Sequence, residues 1–419
     1  MTSRSESPEG TLSEPTRHSL MSGAVEIFLV FLRLGCTSFG GPVAHLGYIR
    51  AELVAKRRWL TEATFADIVA LCQFMPGPAS SQTGMAIGLL RGGPAGMFAA
   101  WFGFTLPSAL AMTLFAYGVT EIGDLSQAGW LRGLKLVAVA VVAQAVWGMA
   151  RTLAPDRNRA SVAVAACLVC LAVPSSLGQV AAILLGAIIG ITLLPGEAPG
   201  ADKPVSMGIR IPTGLAAGML VAFFALLFGL PLLADATGGH FVRLVDAFYR
   251  AGSLVFGGGH VVLPLLQATV VAPGWVDQNL FLAGYGATQA MPGPIFTFAA
   301  FLGAAETPSP NGWVGALVAT VSIFASSFLL VGGLLPFWDT LRHRTGVRAA
   351  LRGVNAAVVG VLLAALFTPI WTGAVHTSAD FGLGLVAFLL MTLWALPPWL
   401  VVLLGAVAGE ALVRFGLPV

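Results

Sequence analysis

Charged side chains are scarce in this sequence, and their scarcity excludes a soluble protein. The 419 residues include 22 Lys and Arg and 19 Asp and Glu, so 10% are charged, whereas about a quarter of a globular domain is charged. Hydrophobic residues make up 57%, and several apolar runs exceed the roughly 20 residues that a membrane-spanning helix needs. The composition therefore predicts an all-α polytopic membrane protein.

The sequence is also poor in motifs that bind metals and cofactors. Its four cysteines all lie in apolar segments, and the spacing of Cys167 and Cys170 has no second pair or nearby histidine to complete a zinc site. Walker loops, dinucleotide fingerprints and catalytic triads are missing as well. We therefore predict no cofactor, no metal and no catalytic residues, which leaves a membrane-embedded enzyme as the least favoured class.

The chain is organised around a six-residue motif that occurs twice. Gln73-Phe-Met-Pro-Gly-Pro78 returns as Gln289-Ala-Met-Pro-Gly-Pro294, and each copy separates two apolar runs. Pro-Gly-Pro cannot continue a helix, because proline lacks an N–H and clashes with the preceding turn. A break inside a bilayer survives only against protein or a water-filled cavity, and matched breaks in two halves indicate a transport site. Two structural kinks are the alternative interpretation.

The repeat extends well beyond this motif. Phe31-Leu-Arg33 and the following Gly40-Gly41 match Phe248-Tyr-Arg250 and Gly257-Gly258, and Leu131-Arg-Gly133 matches Leu351-Arg-Gly353. The nearly constant offset predicts a fused duplication. We divide the chain into a disordered cytoplasmic tail (1–19), an N-terminal repeat (20–195), a linker with one extra transmembrane helix (196–234) and a C-terminal repeat (235–419).

Loop charges predict that the two halves have inverted topology. Lys56-Arg57-Arg58 corresponds to the uncharged Ala272-Pro273-Gly274, whereas the loop with Glu121 and Asp124 corresponds to one with Arg342, His343, Arg344 and Arg348. Cytoplasmic loops accumulate Lys and Arg, so we expect a cytoplasmic N-terminus and a periplasmic C-terminus, the extra helix supplying the change of side. Each broken segment is a hairpin or a crossing broken helix; the hairpin is favoured because it places Arg91 beside Lys56–Arg58.

Two arginines at matching positions are candidate anion ligands. Arg33 and Arg250 lie within apolar segments, where an unpaired arginine costs at least about 2.5–3.5 kcal/mol. A guanidinium presents a fork of donors that suits a doubly charged oxyanion. The alternative is an internal ion pair, for which Glu26, Asp246 and Asp67 are available.

Each Gly-Gly and Pro-Gly-Pro turn is followed by a half-helix, whose first N–H groups attract anions. Helix capping or packing without a ligand is the alternative for the polar residues among them. Asp67 has no acidic counterpart and is a candidate for proton coupling, or for a salt bridge to Arg33. The predicted substrate-binding residues are Arg33, Gly40, Gly41, Gln73, Pro76, Gly77, Pro78, Ser80, Ser81, Arg250, Gly257, Gly258, His260, Gln289, Pro292, Gly293, Pro294 and Thr297.

Over about residues 25–370 these motifs resemble those of the chromate ion transporter (CHR) family in its long, two-domain form. The resemblance implies a multi-pass carrier of the bacterial inner membrane that exports chromate, generally on the proton-motive force. Chromate resembles sulfate in shape and charge, so a sulfate or other oxyanion transporter is an alternative, as is a passive anion channel. The expected partners are the oxyanion, protons and the lipid bilayer, with no nucleic acid; a homo-oligomer is left open.

Overall fold

The structure is a computed structural model that describes residues 17–121, 128–194, 211–256, 258–341 and 344–415. Within these ranges all regular structure is helical and no strand occurs. Most of the expected tail and the linker up to residue 210 lie outside the described residues, as do Asp124, Arg342 and His343 of the loop-charge comparison. The first helix begins at Arg17, inside the tail expected over residues 1–19.

The described residues of the first half form these helical segments: α1 (Arg17–Thr37), α2 (Gly41–Arg50, continued by a π-helix, Ala51–Lys56), α3 (Glu62–Phe74), α4 (Ala79–Glu121), α5 (Gly129–Leu153), α6 (Arg157–Ala172) and α7 (Ser176–Leu193). Helix α8 (Thr213–Thr237) follows the linker. Gly92 and Gly93 have non-helical backbone angles, so α4 is two helices, the second running from Pro94.

The second half repeats this order: α9 (His240–Leu254), a 3₁₀ turn (Gly259–Val261) leading into α10 (Val262–Leu266) and a π-helix (Gln267–Val271), α11 (Gln278–Thr288), a 3₁₀ turn (Ile295–Thr297) leading into α12 (Phe298–Ala305), α13 (Gly312–Leu334), a 3₁₀ turn (Leu335–Phe337), α14 (Trp338–Leu341), α15 (Thr345–Ala365), a π-helix (Leu366–Trp371), α16 (Thr372–Ala374), α17 (Ser378–Thr392) and α18 (Pro398–Arg414). In the part of the chain that the structure describes, five helical stretches are long and apolar enough to span a membrane: Ala79–Glu121, Gly129–Leu153, Thr213–Thr237, Gly312–Phe337 and Thr345–Ala374. The predicted all-α polytopic membrane protein is confirmed.

The broken segment of the first half is a hairpin. Arg57, which precedes α3, and Arg91, at the end of the helix after the break, both donate to the carboxylate of Glu26 on α1, at 3.4 Å. The Arg91 guanidinium also lies 4.3 Å from the centre of the Trp59 ring. The segment therefore leaves and returns at one end of α1. We call Glu26, Arg57, Trp59 and Arg91 the first corner.

The second half contains the equivalent hairpin. The N–H and hydroxyl groups of Thr307, after α12, both donate to the carbonyl of Trp275, before α11, at 3.0 Å. His240, the first residue of α9, packs edge-on against Trp275, and its Nε2 lies 3.1 Å from Oε2 of Glu306. We call His240, Trp275, Glu306 and Thr307 the second corner.

The two corners lie at opposite ends of the long second part of α4. That part begins at Pro94, beside the first corner. Near its other end the Tyr117 hydroxyl accepts a hydrogen bond from the N–H of Trp313, which follows the second corner. Residues 94 to 117 rise about 35 Å at about 1.5 Å per residue, similar to the roughly 30 Å hydrocarbon core of a bilayer. This placement supports the prediction of inverted topology.

The two halves interlock through their last helices. Helix α5 packs against α17 and α18 of the second half, and α15 packs against α6 and α7 of the first. A Cβ at Gly133 would collide with the carbonyl oxygen of Gly405, and one at Gly353 would collide with that of Gly186. Small residues let helices approach this closely inside membranes. The interface between the last helices of the two halves is therefore closely packed.

Candidate functional site

The four helices that follow the two Gly-Gly turns and the two Pro-Gly-Pro breaks begin next to one another. A Cβ added at Gly259 would lie 3.5 Å from both Pro42, at the start of α2, and Ile295, at the turn before α12. His45 on α2 and Ser80 at the start of α4 are both buried, and their Nδ1 and Oγ atoms are 3.4 Å apart. Helix starts from both halves therefore meet in one place, which we call the central site.

Backbone hydrogen bonds cross between the halves at this site. The N–H of Gly77 donates to the carbonyl of Val255 at the end of α9 (2.7 Å), and the N–H of Gly293 donates to that of Ser38 at the end of α1 (2.8 Å). Ser38 and Val255 are repeat-related, as are the two glycines. Each Pro-Gly-Pro break is thus bonded to the first helix of the other half.

Only glycine fits at the centre of each break. Gly77 has φ +119° and Gly293 has φ +93°, values that side chains with a Cβ rarely adopt. A Cβ at Gly77 would overlap the Gln82 side chain and lie 3.2 Å from Ser327 Oγ, and one at Gly293 would lie 2.8 Å from Ser108 Oγ. Ser108 and Ser327 are themselves repeat-related, so each break faces a matching serine.

Buried polar side chains surround the first break. Gln82 Nε2 donates to the carbonyl of Pro76 (2.7 Å) and to Ser327 Oγ (3.3 Å). The side-chain amide oxygen of Gln82 (Oε1) and the Ser81 hydroxyl are buried and make no hydrogen bond within the described part of the chain. The first intrahelical backbone bond after the break runs from the Gln82 N–H to the Pro78 carbonyl. The N–H groups of the residues between Pro78 and Gln82 lie at the start of this helix, and N–H groups at a helix start bind anions.

The second break has a similar polar lining. The buried Thr297 hydroxyl donates to the Pro294 carbonyl at 2.7 Å. The side-chain nitrogen of Gln289 and the hydroxyl of Ser38 are buried without a hydrogen-bond partner among the described residues. Burying such a group unpaired costs about 1–3 kcal/mol. The central site therefore offers hydroxyl and amide groups that a bound polar ligand would satisfy.

The two histidines near the helix starts differ in their surroundings. His45 packs edge-on against Phe104. His260 Nδ1 lies 2.7 Å from the Tyr285 hydroxyl. Because these partners are not repeat-related, the two halves contribute different chemistry to the central site.

The described contacts of the two predicted arginines are with residues outside the Pro-Gly-Pro breaks. Arg33 is exposed and lines a cavity of about 240 Å³ with Thr37, Tyr48, Glu52 and Lys56 among its neighbours, none of them in a Pro-Gly-Pro break. Arg250 forms an ion pair with Asp246, one turn earlier on α9. Arg33 therefore faces a basic cavity beside the first hairpin, whereas Arg250 already has a carboxylate partner.

The remaining predicted residues are distributed unevenly. Gln73 is exposed at the end of α3, and Asp67 is half-buried on the same helix. Gly40, Gly41 and Gly258 take positive φ at the turns before α2 and α10, as a glycine turn requires. Pro76 and Pro292 are half-buried, and Gly257 lies outside the described residues.

Sequence reasoning missed four side chains of the central site: Ser38, Gln82, Ser108 and Ser327. A serine pair at the repeat offset within apolar helices was a usable signal for Ser108 and Ser327. Gln82 had no such signal, because its counterpart in the second half is apolar. Burial and contact with a break are what distinguish it from Gln73.

Half-helices that meet inside an all-helical membrane protein define a class, the membrane transporters built from repeats. Within that class the chain belongs to the chromate transporter family. The family profile, described as chromate transporter, matches residues 25–191 and 242–410, one match in each half.

The full-length relatives carry related names. The chain is 26% identical over 390 residues to a probable chromate transport protein of Synechococcus elongatus, covering 90% of this chain and 93% of that protein. It is 28% identical over 348 residues to a chromate transport protein of Pseudomonas aeruginosa, covering 80% and 79%. It is 27% identical over 349 residues to an uncharacterised transporter of Methanocaldococcus jannaschii, covering 81% and 83%. No solved structure matches the chain significantly.

Proposed function

We propose that this protein is a secondary carrier that exports a tetrahedral oxyanion, chromate first among the candidates, at the expense of the proton-motive force. The central site carries this proposal, since helix starts from both halves meet there beside buried polar groups that have no hydrogen-bond partner among the described residues. The names of the full-length relatives favour chromate as the anion. The inner membrane is the expected location.

The central site suits an anion through dipoles and donors. Helix starts carry partial positive charge and N–H groups without intrahelical partners. The hydroxyls of Ser38 and Ser81 and the side-chain nitrogen of Gln289 would donate to oxyanion oxygens, and each is buried without a partner among the described residues. An oxyanion that leaves water would regain hydrogen bonds from these groups.

Arg33 and Lys56 are proposed to act before the central site. Both line the cavity beside the first hairpin, where Glu52 also pairs with Lys56 at 3.2 Å. With the Glu52 carboxylate offsetting one of the two cations, the lining keeps a net positive charge, which raises the local concentration of anions. In this role Arg33 attracts the oxyanion and does not hold it at the breaks.

An alternating mechanism follows from the arrangement of the hairpins. The crossed hydrogen bonds from Gly77 to Val255 and from Gly293 to Ser38 tie the central site to both halves. The two hairpins return at opposite ends of the long part of α4, so movement of one half against the other would expose the site on one side at a time. Inverted repeats that rock around a fixed midplane site behave in this way.

Flux measurements separate this carrier from the alternatives. Inside-out vesicles containing the protein are loaded under an imposed pH gradient with chromate or sulfate outside. Accumulation above equilibrium that an uncoupler abolishes is the expected result. Flux that only equilibrates and ignores the uncoupler would indicate a passive channel. A preference for sulfate over chromate would keep the mechanism and change the substrate.

A matched variant links this flux to the central site. We expect Ser81→Ala to weaken chromate binding, because it removes a buried hydroxyl donor at the start of α4 while changing little volume. Ser161→Ala is the control, since the Ser161 hydroxyl is exposed and its described hydrogen bond goes to the carbonyl of Arg157 on its own helix. Equal chromate affinity in the two variants would argue against Ser81 as a ligand.

A further inference from the structure

The two corners occupy equivalent places in the repeat but differ in their ability to bind a proton. Trp59 and Trp275 are repeat-related, and each stands where its hairpin returns. The first corner joins Glu26 to Arg57 and Arg91, and arginine keeps its charge at every physiological pH. The second corner joins His240 to Glu306, and both of these side chains titrate.

The pair in the second corner is well shielded from water. The Glu306 side chain is 1% exposed and that of His240 is 16% exposed, whereas the Glu26 carboxylate is 43% exposed. Among the described residues, His240 is the side chain within hydrogen-bond distance of Glu306, whose other carboxyl oxygen is buried without a partner. Burial raises the pKa of the Glu306 carboxyl to about 8, because a dry environment disfavours the charged form.

Other charged or titratable groups lie on the helices next to this corner. The positive charge of Arg243, on the same helix, disfavours protonation of His240. Asp235 at the end of α8 acts on Asp246 of α9. Asp277 caps the start of α11 through its bonds to the N–H groups of Asn279 and Leu280, and Tyr117 of α4 bonds to the start of α13. The described hydrogen bonds of these groups go to atoms other than the Glu306 carboxyl.

The second corner is mechanically connected to the central site. His240 begins α9, and Val255, just beyond the other end of that 15-residue helix, accepts the hydrogen bond from Gly77. Glu306 is the residue just after α12, and the 3₁₀ turn that leads into the opposite end of α12 follows Pro294 of the second break. Both members of the pair therefore stand at the outer ends of half-helices whose inner ends form the central site.

We propose that Glu306 and His240 form the proton-binding site of this carrier, and that gain or loss of one proton there changes the strength of the contact between α12 and α9. The inference rests on the proposed function, which it completes by assigning the coupling proton to named residues. With the proton bound, the pair is neutral as a whole. When this proton is released, a carboxylate is left beside a neutral imidazole in a dry corner. The unneutralised charge weakens the contact between the two half-helices.

A measurement on the substrate-free protein tests proton binding. A carboxyl whose folded pKa is raised contributes stability that is present at low pH and is lost as the pH rises from its ordinary value toward about 8. We expect thermal stability in detergent to fall more steeply over this window in the wild type than in Glu306→Gln, which lacks the titrating carboxyl. The slope that remains in the variant comes from the other titratable groups, among them His240, whose pKa is lowered by burial. The control Glu26→Gln, in the first corner, should keep the fall. Identical pH profiles in wild type and Glu306→Gln would overturn the inference.

A second measurement tests coupling. The readout is the ratio of chromate uptake with a pH gradient to uptake without one, which is independent of the amount of protein. We expect this ratio to exceed 1 in the wild type and in Glu26→Gln, and to fall to 1 in Glu306→Gln. A wild-type ratio in Glu306→Gln would overturn the assignment while leaving the proposed function intact. A ratio of 1 in the wild type would overturn the proposed coupling itself, although the stability profile would still show whether the pair binds a proton.

Discussion

Replacing Gly77 with alanine should damage the central site far more than replacing a glycine elsewhere that also has a positive φ. At φ +119° a Cβ introduces backbone strain, of the order of 1–2 kcal/mol for left-handed conformations. The same Cβ would overlap the Gln82 side chain, which bonds to Pro76 and Ser327. Overpacking of this kind costs about 1–3 kcal/mol more. We expect a total destabilisation of about 2–5 kcal/mol.

Gly274 provides the matched control. It also has positive φ, +78°, but a Cβ there would meet no atom within 4 Å. Gly274→Ala therefore carries the backbone strain without the collision, and we expect it to cost about 1–2 kcal/mol. The difference between the two variants isolates the contribution of packing at the break.

The assay combines thermal stability with chromate affinity per folded molecule in detergent. Movement of Gln82 and of the Gly77–Val255 hydrogen bond would displace the start of α4. We expect chromate affinity to fall at least tenfold in Gly77→Ala, equivalent to about 1.4 kcal/mol, and to stay within twofold of wild type in Gly274→Ala. The reasoning would be refuted if both alanine variants lost the same stability and bound chromate like the wild type.

Three further predictions concern other parts of the chain. Arg33→Ala should lower chromate flux at least tenfold while Arg33→Lys restores part of it, because lysine returns the cation to the cavity without the planar fork; full flux in the alanine variant would show Arg33 to be dispensable. Reporter fusions after Asn158, Asp235 and His343 and at the C-terminus should place Asp235 and His343 on opposite sides of the membrane, and finding both on the same side would contradict inverted topology. Asp380→Ala should destabilise the protein by about 3–5 kcal/mol, because it leaves the largely buried Arg132 without its carboxylate. Stability within 1 kcal/mol of wild type, measured by the same thermal assay, would show that solvent reaches this pair.

The sequence alone determined the features that depend on local chemistry and on the duplication. Apolar runs required membrane helices, and proline and glycine at Pro76-Gly77-Pro78 and Pro292-Gly293-Pro294 required breaks whatever surrounded them. The repeat located the two halves, because duplicated segments keep their spacing. The ion pair of Arg250 with Asp246 was also accessible, since residues four apart share a helix face. Inverted topology remains a prediction that the placement of the corners supports.

Only the tertiary structure decided which residues meet. Sequence repetition favoured Gln73, yet that side chain is exposed, whereas Gln82 is buried against Ser327, 245 positions away along the chain. Arg33 faces a lateral cavity because the side of α1 that carries it packs beside α2 and not against a break. The pairing of His240 with Glu306 likewise joins residues 66 positions apart. Such contacts depend on how helices pack across the whole molecule, and local sequence patterns carry no information about that packing.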